Sequence, residues 1–228
     1  MTHLRRFIAA VLMTFAIVSG AQALTIYDAS TQFSFASNPA DPWSYGFQTT
    51  LGGNMTLYSD ATVLGGVQFW RLDQGGTNTP NVGLNPTGND ITFASTTWRP
   101  GEISLHPGPG GEFSVVRFTP PDDGRYTLDS LFEMRSFGGT SSTDVHVLLN
   151  GVSLFDSGVS GFTSQTAFSA ELLLSASDQI DFVVGAAGSF LGDTTRLHAE
   201  LTAVPVPAAV FLFSSAFAGL GLFRRRRA

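Results

Sequence analysis

The sequence lacks both cysteine and lysine, and each absence excludes a class of function. Without cysteine, the chain has no disulfide framework, no thiol nucleophile and no cysteine ligands for zinc. All 12 basic residues are arginines, and 18 acidic residues give the chain a formal net charge of −6. A protein that binds nucleic acid needs a cationic surface to neutralise phosphates, so this balance argues against a nucleic-acid partner.

The common catalytic and metal-binding motifs are also absent. The sequence contains no Gly-x-Ser-x-Gly, no His-Glu-x-x-His and no Asp-x-Asp-x-Asp-Gly. His146 alternates with Asp144 and Leu148 along one predicted strand, which favours a cross-strand or solvent-facing role for this histidine. Carboxylate pairs, which glycoside hydrolysis requires, are expected by chance among 18 acidic residues. The sequence therefore predicts that the protein is not an enzyme.

The first 23 residues have the pattern of a secretory signal peptide. Arg5 and Arg6 precede the apolar run Phe7–Val18, which only Thr14 interrupts. The run is too short for an ordinary membrane span. Ala21 and Ala23 then provide the small-x-small pattern that signal peptidase recognises. We expect residues 1–23 to form a signal helix that is removed by cleavage after Ala23.

The C-terminal segment, residues 204–228, has the pattern of a membrane anchor. An apolar stretch of 16 residues, Ala208–Phe223, corresponds to about 24 Å of helix, somewhat less than the ~30 Å hydrocarbon core. Arginine side chains can extend to the interface and compensate for the difference, and a basic flank stays cytoplasmic. The segment therefore predicts a transmembrane helix with the body exported. Its flanking residues are Val204, Pro205, Val206 and Pro207 before the helix, and Arg224, Arg225, Arg226 and Arg227 after it.

This order of a Pro-x-Pro motif, an apolar helix and an arginine tail resembles the PEP-CTERM sorting signal of exported bacterial proteins. The same kind of segment is also described as an ice-binding protein C-terminal domain, a label that implies no ice binding. The resemblance implies processing by exosortase, a membrane protease, after transient anchoring in the inner membrane. It implies a final location at the cell surface or outside the cell. Val206 stands where the name-giving motif has Glu. An ordinary C-terminal anchor is the alternative interpretation.

The body between these segments, residues 24–203, has the pattern of an all-β domain. It holds all 18 acidic residues and only six of the arginines, which gives it a charge of −12. Glycine and proline interrupt it throughout, and short β-rich runs lie between them. Asn150-Gly151 predicts a two-residue hairpin turn, and Pro121–Gly124 predicts a second turn. The polar stretch Gly75–Asn89 is expected to be a long loop. We predict a single antiparallel β-sandwich, of the jelly-roll or galactose-binding kind.

A second set of motifs covers most of the body. It consists of Asn38-Pro39, Trp43–Gly46, Leu105–Gly108, Val115–Thr119, Asp144–Phe155, Asp178–Val184 and Asp193–Thr195. Together these motifs resemble a domain common in exported bacterial proteins, for which no activity is established. The resemblance implies a β-sandwich of the galactose-binding or carbohydrate-module kind.

Aromatic and acidic residues supply the candidate binding sites. An aromatic ring can cover the flat C–H face of a sugar, which makes Trp43, Tyr45, Trp70 and Trp98 the ligand-facing candidates. With 20 phenylalanines in the chain, a place in the core is the alternative for each ring. A structural Ca²⁺ takes six to eight oxygen ligands. Its candidate ligands are Asp178, Asp181 and Asp193, or Asp122 and Asp123. The alternative is that Asp122 and Asp123 form a turn and that Asp181 is a solvated strand residue.

Two functions remain open from the sequence. The first is a non-catalytic module that binds extracellular polysaccharide in a biofilm matrix. The second is a structural, acidic surface protein that self-associates, with calcium bridging the copies. Beyond these, the expected partners are the processing enzymes, signal peptidase and exosortase.

Overall fold

Short strands separated by turns make up the part of the chain that the computed structural model describes, residues 24–72, 79–137 and 141–205. None of these residues is helical. The strands are β1 Thr25–Asp28, β2 Trp43–Gln48, β3 Thr56–Leu57, β4 Asp60–Leu64, β5 Val67–Arg71, β6 Asn81–Leu84, β7 Ile91–Phe93, β8 Thr96–Trp98, β9 Ile103–His106, β10 Phe113–Phe118, β11 Gly124–Met134, β12 Ser142–Leu149, β13 Val152–Ser160, β14 Gln165–Leu174, β15 Ile180–Ala186 and β16 Thr195–Val204.

The strands form two large antiparallel sheets and one small hairpin. The first sheet has the order β14-β11-β16-β9-β6-β5-β4, with β1 paired to β16. The second has the order β13-β12-β15-β10-β2-β3, and β7 pairs with β8 alone. The two sheets enclose a common hydrophobic core. The predicted all-β antiparallel sandwich is therefore confirmed.

The core is built by alternation along the strands. On β15, Ile180, Phe182 and Val184 are buried in the shared core, and on β16 Leu197 and Leu201 face it from the other sheet. Because successive side chains of a strand point to opposite faces, the residues between these core positions lie on the outer face of each sheet. Burial of apolar area at roughly 25 cal/mol per Å² is the main source of stability here. Residues Leu24–Val204 form one compact unit.

Turn chemistry accounts for the hairpin between β12 and β13. Asn150 and Gly151 both have positive φ, 52° and 78°, as a type I′ turn requires. The turn predicted from this dipeptide is confirmed, as is the predicted turn before Gly124, where β11 begins.

The prediction of one long loop over Gly75–Asn89 is wrong in part. Asn81–Leu84 is β6, a fully buried strand between β5 and β9. The ring of Phe69 lies over Gly83 so closely that a Cβ there would be 2.4 Å from its Cε1 atom. Glycine is therefore present because a ring packs on the strand, and not because the chain turns.

Both ends of the body meet on the first sheet. Thr25 pairs with Ala203 and Asp28 with Glu200, so β1 lies beside the last strand. Pro205 follows β16 directly. The predicted signal helix with Ala21 and Ala23, and the predicted sorting segment beyond Pro205, lie outside the described residues and stay predictions. Among the residues that are described, no helix is long and apolar enough to cross a membrane.

Candidate functional site

The candidate site lies on the outer face of the second sheet. Along β10, Val116 and Phe118 enter the core, so Arg117 between them projects away from it. Arg117 is in register with Asp181 on β15 and with Ser44 on β2. Three neighbouring strands therefore place a cation, a carboxylate and a hydroxyl side by side.

Arg117 is fixed by a two-point ion pair with Asp181. Its Nε lies 2.6 Å from Oδ1 and its Nη2 lies 2.8 Å from Oδ2. Gln48 donates a third bond to Oδ2, 2.9 Å long, and accepts one from the Gly52 amide at 3.1 Å. Asp181 is 1 % exposed, whereas the Arg117 side chain is 15 % exposed. The guanidinium is thus held in one orientation at the bottom of an opening, since planar bidentate pairs are geometrically specific.

The wall of the site depends on a close approach of two backbone segments. A Cβ on Gly52 would lie 2.4 Å from the carbonyl oxygen of Gly151. A Cβ on Gly151 would lie 2.6 Å from the carbonyl oxygen of Gly52. Both residues also have positive φ, which glycine adopts without steric cost. The loop after β2 can therefore reach the hairpin turn only because neither residue has a side chain.

Two adjoining cavities open on either side of Arg117, and we call them together the Arg117 groove. Their volumes are about 480 Å³ and about 310 Å³, and they share Met55, Arg117 and Gln179. The larger volume lies within the range typical of small-molecule sites. The larger cavity is also lined by Gly52, Gly53, Asn54, Asn150, Gly151, Ser177 and Asp181, and the smaller one by Pro39, Asp41, Pro42, Trp43, Ser44, Leu57 and Thr119.

Uncommitted amides and hydroxyls give the groove its chemistry. The side chains of Asn54 and Gln179 make no hydrogen bond to the described part of the chain, so they can donate to and accept from a ligand. Asn150 is already engaged by Asp178 and by the Gln179 amide, at 2.8 and 2.9 Å. Met55 and Leu57 add apolar surface. Such a lining fits a neutral molecule with many hydroxyls. Asp181 is occupied by its ion pair with Arg117.

The three aspartates predicted as calcium ligands are not brought together. The Asp178 carboxylate accepts a hydrogen bond from the Ser175 backbone amide at 2.7 Å. This bond, together with the one from the Asn150 side chain, lowers the pKa of Asp178. Asp181 is paired with Arg117, and Asp193 lies buried on the loop before β16. Within residues 24–72, 79–137 and 141–205, no group of three or more acidic or histidine side chains could hold a metal ion.

The other acidic pair lies in the turn before β11. The Asp122 carbonyl accepts the Tyr126 hydroxyl at 2.8 Å, a local contact that agrees with the turn-forming alternative. The Asp123 carboxylate accepts the Ala176 amide at 2.8 Å and so joins this turn to the segment after β14.

The four aromatic candidates are core residues and do not face an open site. Trp43 and Tyr45 are fully buried, and Trp70 and Trp98 are 7 % and 3 % exposed. The Trp43 ring packs on Phe118 at 5.1 Å, and its indole N–H donates to Gln32 at 2.9 Å. The expectation that these rings cover a sugar is corrected by their burial: this chain fills its core with aromatic side chains. Trp43 borders the groove only from beneath.

Arg117, Asn54 and Gln179 were missed, and Asp181 was predicted only as a calcium ligand, because the signal for this site is a pairing between distant strands. Arg117 and Asp181 are 64 residues apart in the sequence. Arginine between Val116 and Phe118 was the available local signal. Nothing local indicates which strand lies beside it.

A second polar cluster lies on the same outer face, on β12 and β13. His146 Nδ1 lies 2.5 Å from Asp156 on β13, and its Nε2 lies 3.0 Å from Asp144. Of the two roles predicted for this histidine, cross-strand or solvent-facing, the structure shows the cross-strand one. Burial disfavours the charged ring, but hydrogen bonds and charges from both aspartates outweigh it and raise the His146 pKa.

Comparisons with known proteins find likeness only among solved structures. No family model matches the chain, and no curated protein matches it. CBM51 from Clostridium perfringens GH95 in complex with methyl-galactose is 16 % identical, over 78 % of this chain and 99 % of that one, with a TM-score of 0.40. CBM51-2 in complex with GlcNAc, with INT domains, from Clostridium perfringens ZmpB is 16 % identical, over 65 % and 30 %, with a TM-score of 0.38.

A third similar structure is a family 35 carbohydrate binding module from Clostridium thermocellum. It is 10 % identical over 79 % of this chain and 98 % of that one, with a TM-score of 0.32. At this level of similarity, function has to follow from the side chains of the site itself.

Proposed function

We propose that the protein is a non-catalytic module that binds a neutral, hydroxyl-rich polysaccharide in the Arg117 groove. The observation that supports this most directly is the combination of a fixed guanidinium with two uncommitted amides, Asn54 and Gln179, in one open groove. A guanidinium that is already held in place needs no rearrangement on binding, which reduces the entropy cost.

The electrostatics of the groove favour a neutral ligand over an acidic one. Asp181 neutralises Arg117, and Asp41 lines the adjoining cavity. The exported body carries a charge of −12, which repels a polyanion at long range. The two adjoining cavities favour a chain of sugar units over a single compact ligand.

The export route belongs to the same proposal. Removal of residues 1–23 by signal peptidase and processing near Val204–Pro207 by exosortase would deliver the body to the cell surface or the extracellular matrix. The terminal sequence patterns support this route.

The test is binding of the purified protein to neutral polysaccharides by affinity electrophoresis and a glycan array. Gln179→Ala and Asn54→Ala should each weaken binding several-fold, since each removes a hydrogen-bonding group worth about 1 kcal/mol from the groove. Gln165→Ala, which truncates an exposed glutamine on β14 of the other sheet, is the matched control and should bind like the unaltered protein. Equal binding by all four proteins would overturn the assignment of the groove.

One observation favours the alternative of a self-associating surface protein. Phe137 and Phe162 are each 51 % exposed and contact each other edge to face, with ring centroids 6.0 Å apart. Exposed apolar side chains in contact favour association. Sedimentation velocity with calcium and with a chelator tests this role. Oligomers that Phe162→Ser abolishes, in a protein that binds no glycan, would favour it over the binding module.

A further inference from the structure

Four exposed apolar side chains cluster where the two ends of the body meet. Leu24, Ile26, Leu173 and Val204 are 60 %, 50 %, 79 % and 38 % exposed. Exposed aliphatic residues scattered singly are normal on a protein surface, but a contiguous group indicates a contact surface. We call this group, together with Arg125, the terminal rim.

Strand register makes the rim contiguous. Arg125 on β11 pairs with Leu173 on β14 on one side and with Val204 on β16 on the other. Thr25 pairs with Ala203, which places Leu24 next to Val204. With strands about 4.8 Å apart, this row crosses four strands in roughly 15 Å. Its side chains point outward, because the alternate residues, among them Tyr126 and Leu174, enter the core.

The sequence connects this rim to both apolar terminal stretches. The 16-residue stretch Ala208–Phe223 begins four residues after Val204, a distance of at most about 14 Å of extended chain. The other apolar run, Phe7–Val18, ends six residues before Leu24. When Ala208–Phe223 is inserted in a bilayer, this short connection limits the distance between Val204 and the lipid to about 14 Å.

The chemistry of the rim suits a lipid surface. Leucine and isoleucine side chains partition into the boundary between headgroups and acyl chains, and a nearby arginine can bind lipid phosphate. Arg125 is 60 % exposed, and its contact with Glu171 is long, at 3.8 Å. This guanidinium is therefore available to a phosphate at little cost, since exposed ion pairs of this kind are weak.

We propose that the terminal rim is the membrane-contacting surface of the body while the chain is anchored. Leu24, Leu173 and Val204 lie at the headgroup boundary, and Arg125 lies at the phosphates. The proposal depends on anchoring through residues 208–223 and is independent of sugar binding in the Arg117 groove.

The test uses the full chain in vesicles of phosphatidylethanolamine and phosphatidylglycerol. Because the sequence has no cysteine, Leu173→Cys introduces a unique position for an environment-sensitive fluorophore. The matched control is Gln165→Cys, an exposed position on the same face at the opposite end of β14. Spin-labelled lipid should quench the label at 173 at least threefold more strongly than the label at 165.

The other outcomes of this experiment also decide the proposal. Equal quenching at the two positions, or failure of the chain to float with the vesicles, overturns it. Energy transfer between labelled copies without lipid quenching at 173 also overturns it, in favour of contact with a second copy. Far-UV circular dichroism confirms that each variant keeps its β structure. Glycan binding, measured separately, distinguishes failure of the rim from failure of the groove.

Discussion

Asp193 is a fully buried carboxylate whose Oδ2 has no hydrogen-bond partner among the described residues. Burial raises the pKa of Asp193, and the negative charge of Asp144 raises it further. The hydrogen bond from the Ser142 amide lowers it, and the resulting pKa is about 7. The unfolded chain has the ordinary aspartate pKa of about 4. The folded state therefore holds the proton more tightly, and stability falls as the pH rises from about 4 through about 7.

Asp193→Asn should remove this loss of stability. At pH 8 the variant should unfold with a larger free energy than the unaltered protein, by at most about 4 kcal/mol, and at pH 4 the two should be similar. Urea denaturation at both pH values measures this. Asp178→Asn is the matched control and should shift stability in the opposite direction, because hydrogen bonds lower the Asp178 pKa. A variant at 193 that is less stable at pH 8 would contradict the interpretation.

His146 also lowers stability as the pH rises, because the folded protein favours its positively charged form. Its pKa is raised, so its stabilisation is present below about pH 6.5 and is lost as the pH rises through the folded-state value. In an NMR titration, His146 should titrate above pH 6.5, and Asp156→Asn should lower its pKa. The control is His106 in the same spectrum, whose pKa burial lowers. An unchanged His146 pKa in the variant would show that Asp156 does not hold the charged form.

At the scale of elements, the contact between the loop after β2 and the β12–β13 turn is the most vulnerable point of the groove. Gly151→Ala should destabilise the protein by more than the about 1–2 kcal/mol that a positive φ costs, because the added Cβ would also meet the Gly52 carbonyl oxygen, and it should weaken glycan binding. Gly161→Ala separates the two effects, because Gly161 also has a positive φ but nothing lies within 4 Å of an added Cβ. If both variants bind glycan equally, the Gly52–Gly151 contact does not shape the groove.

The β7–β8 hairpin is joined to the first sheet by a buried charged cluster. Arg135, 2 % exposed, contacts Glu102 at 2.9 Å and Glu133 at 3.1 Å and donates to the Thr97 carbonyl at 3.1 Å. Arg135→Met leaves the buried Glu102 carboxylate without its ion-pair partner, whereas Glu133 keeps its pair with Arg196 at 3.0 Å, and the substitution should cost about 3–5 kcal/mol.

Arg125→Met is the matched control for this substitution. Its exposed pair with Glu171 should contribute less than about 1 kcal/mol. Thermal and urea unfolding compare the two variants. Similar losses at 135 and 125 would show that burial of the pair is not decisive.

The local sequence pattern was sufficient to predict the positions of many strands, but not which strands lie side by side in the sheets. Val67–Arg71 and Ile103–His106 have the β-rich composition of strands, and turn residues mark their ends. Asn81–Leu84 lacks this composition, because Gly83 is needed where the Phe69 ring of the neighbouring strand packs against it. The Arg117–Asp181 pair could not be predicted for the same reason: strand order is a property of the whole sandwich. The buried tryptophans show that residue type alone does not indicate exposure.

At the scale of the whole molecule, the proposed export route predicts where the mature protein begins and ends. Mass spectrometry of protein from a host with signal peptidase and exosortase should find Leu24 as the first residue and no Arg224–Arg227 tail. Replacing Ala21 and Ala23 by phenylalanine should block the first cut, because the peptidase requires small residues there. A mature protein that retains its arginine tail would contradict processing at the second site.

The position of β16 also has a mechanical consequence. This strand lies inside the first sheet, paired along its length with β11 on one edge and with β1 and β9 on the other. A pull applied at residue 205 acts along the strand, perpendicular to its hydrogen bonds. The bonds are then loaded together in shear and not opened one after another, as they would be in an edge strand that is peeled away. A body held by its C-terminal end resists tension through its interior strand.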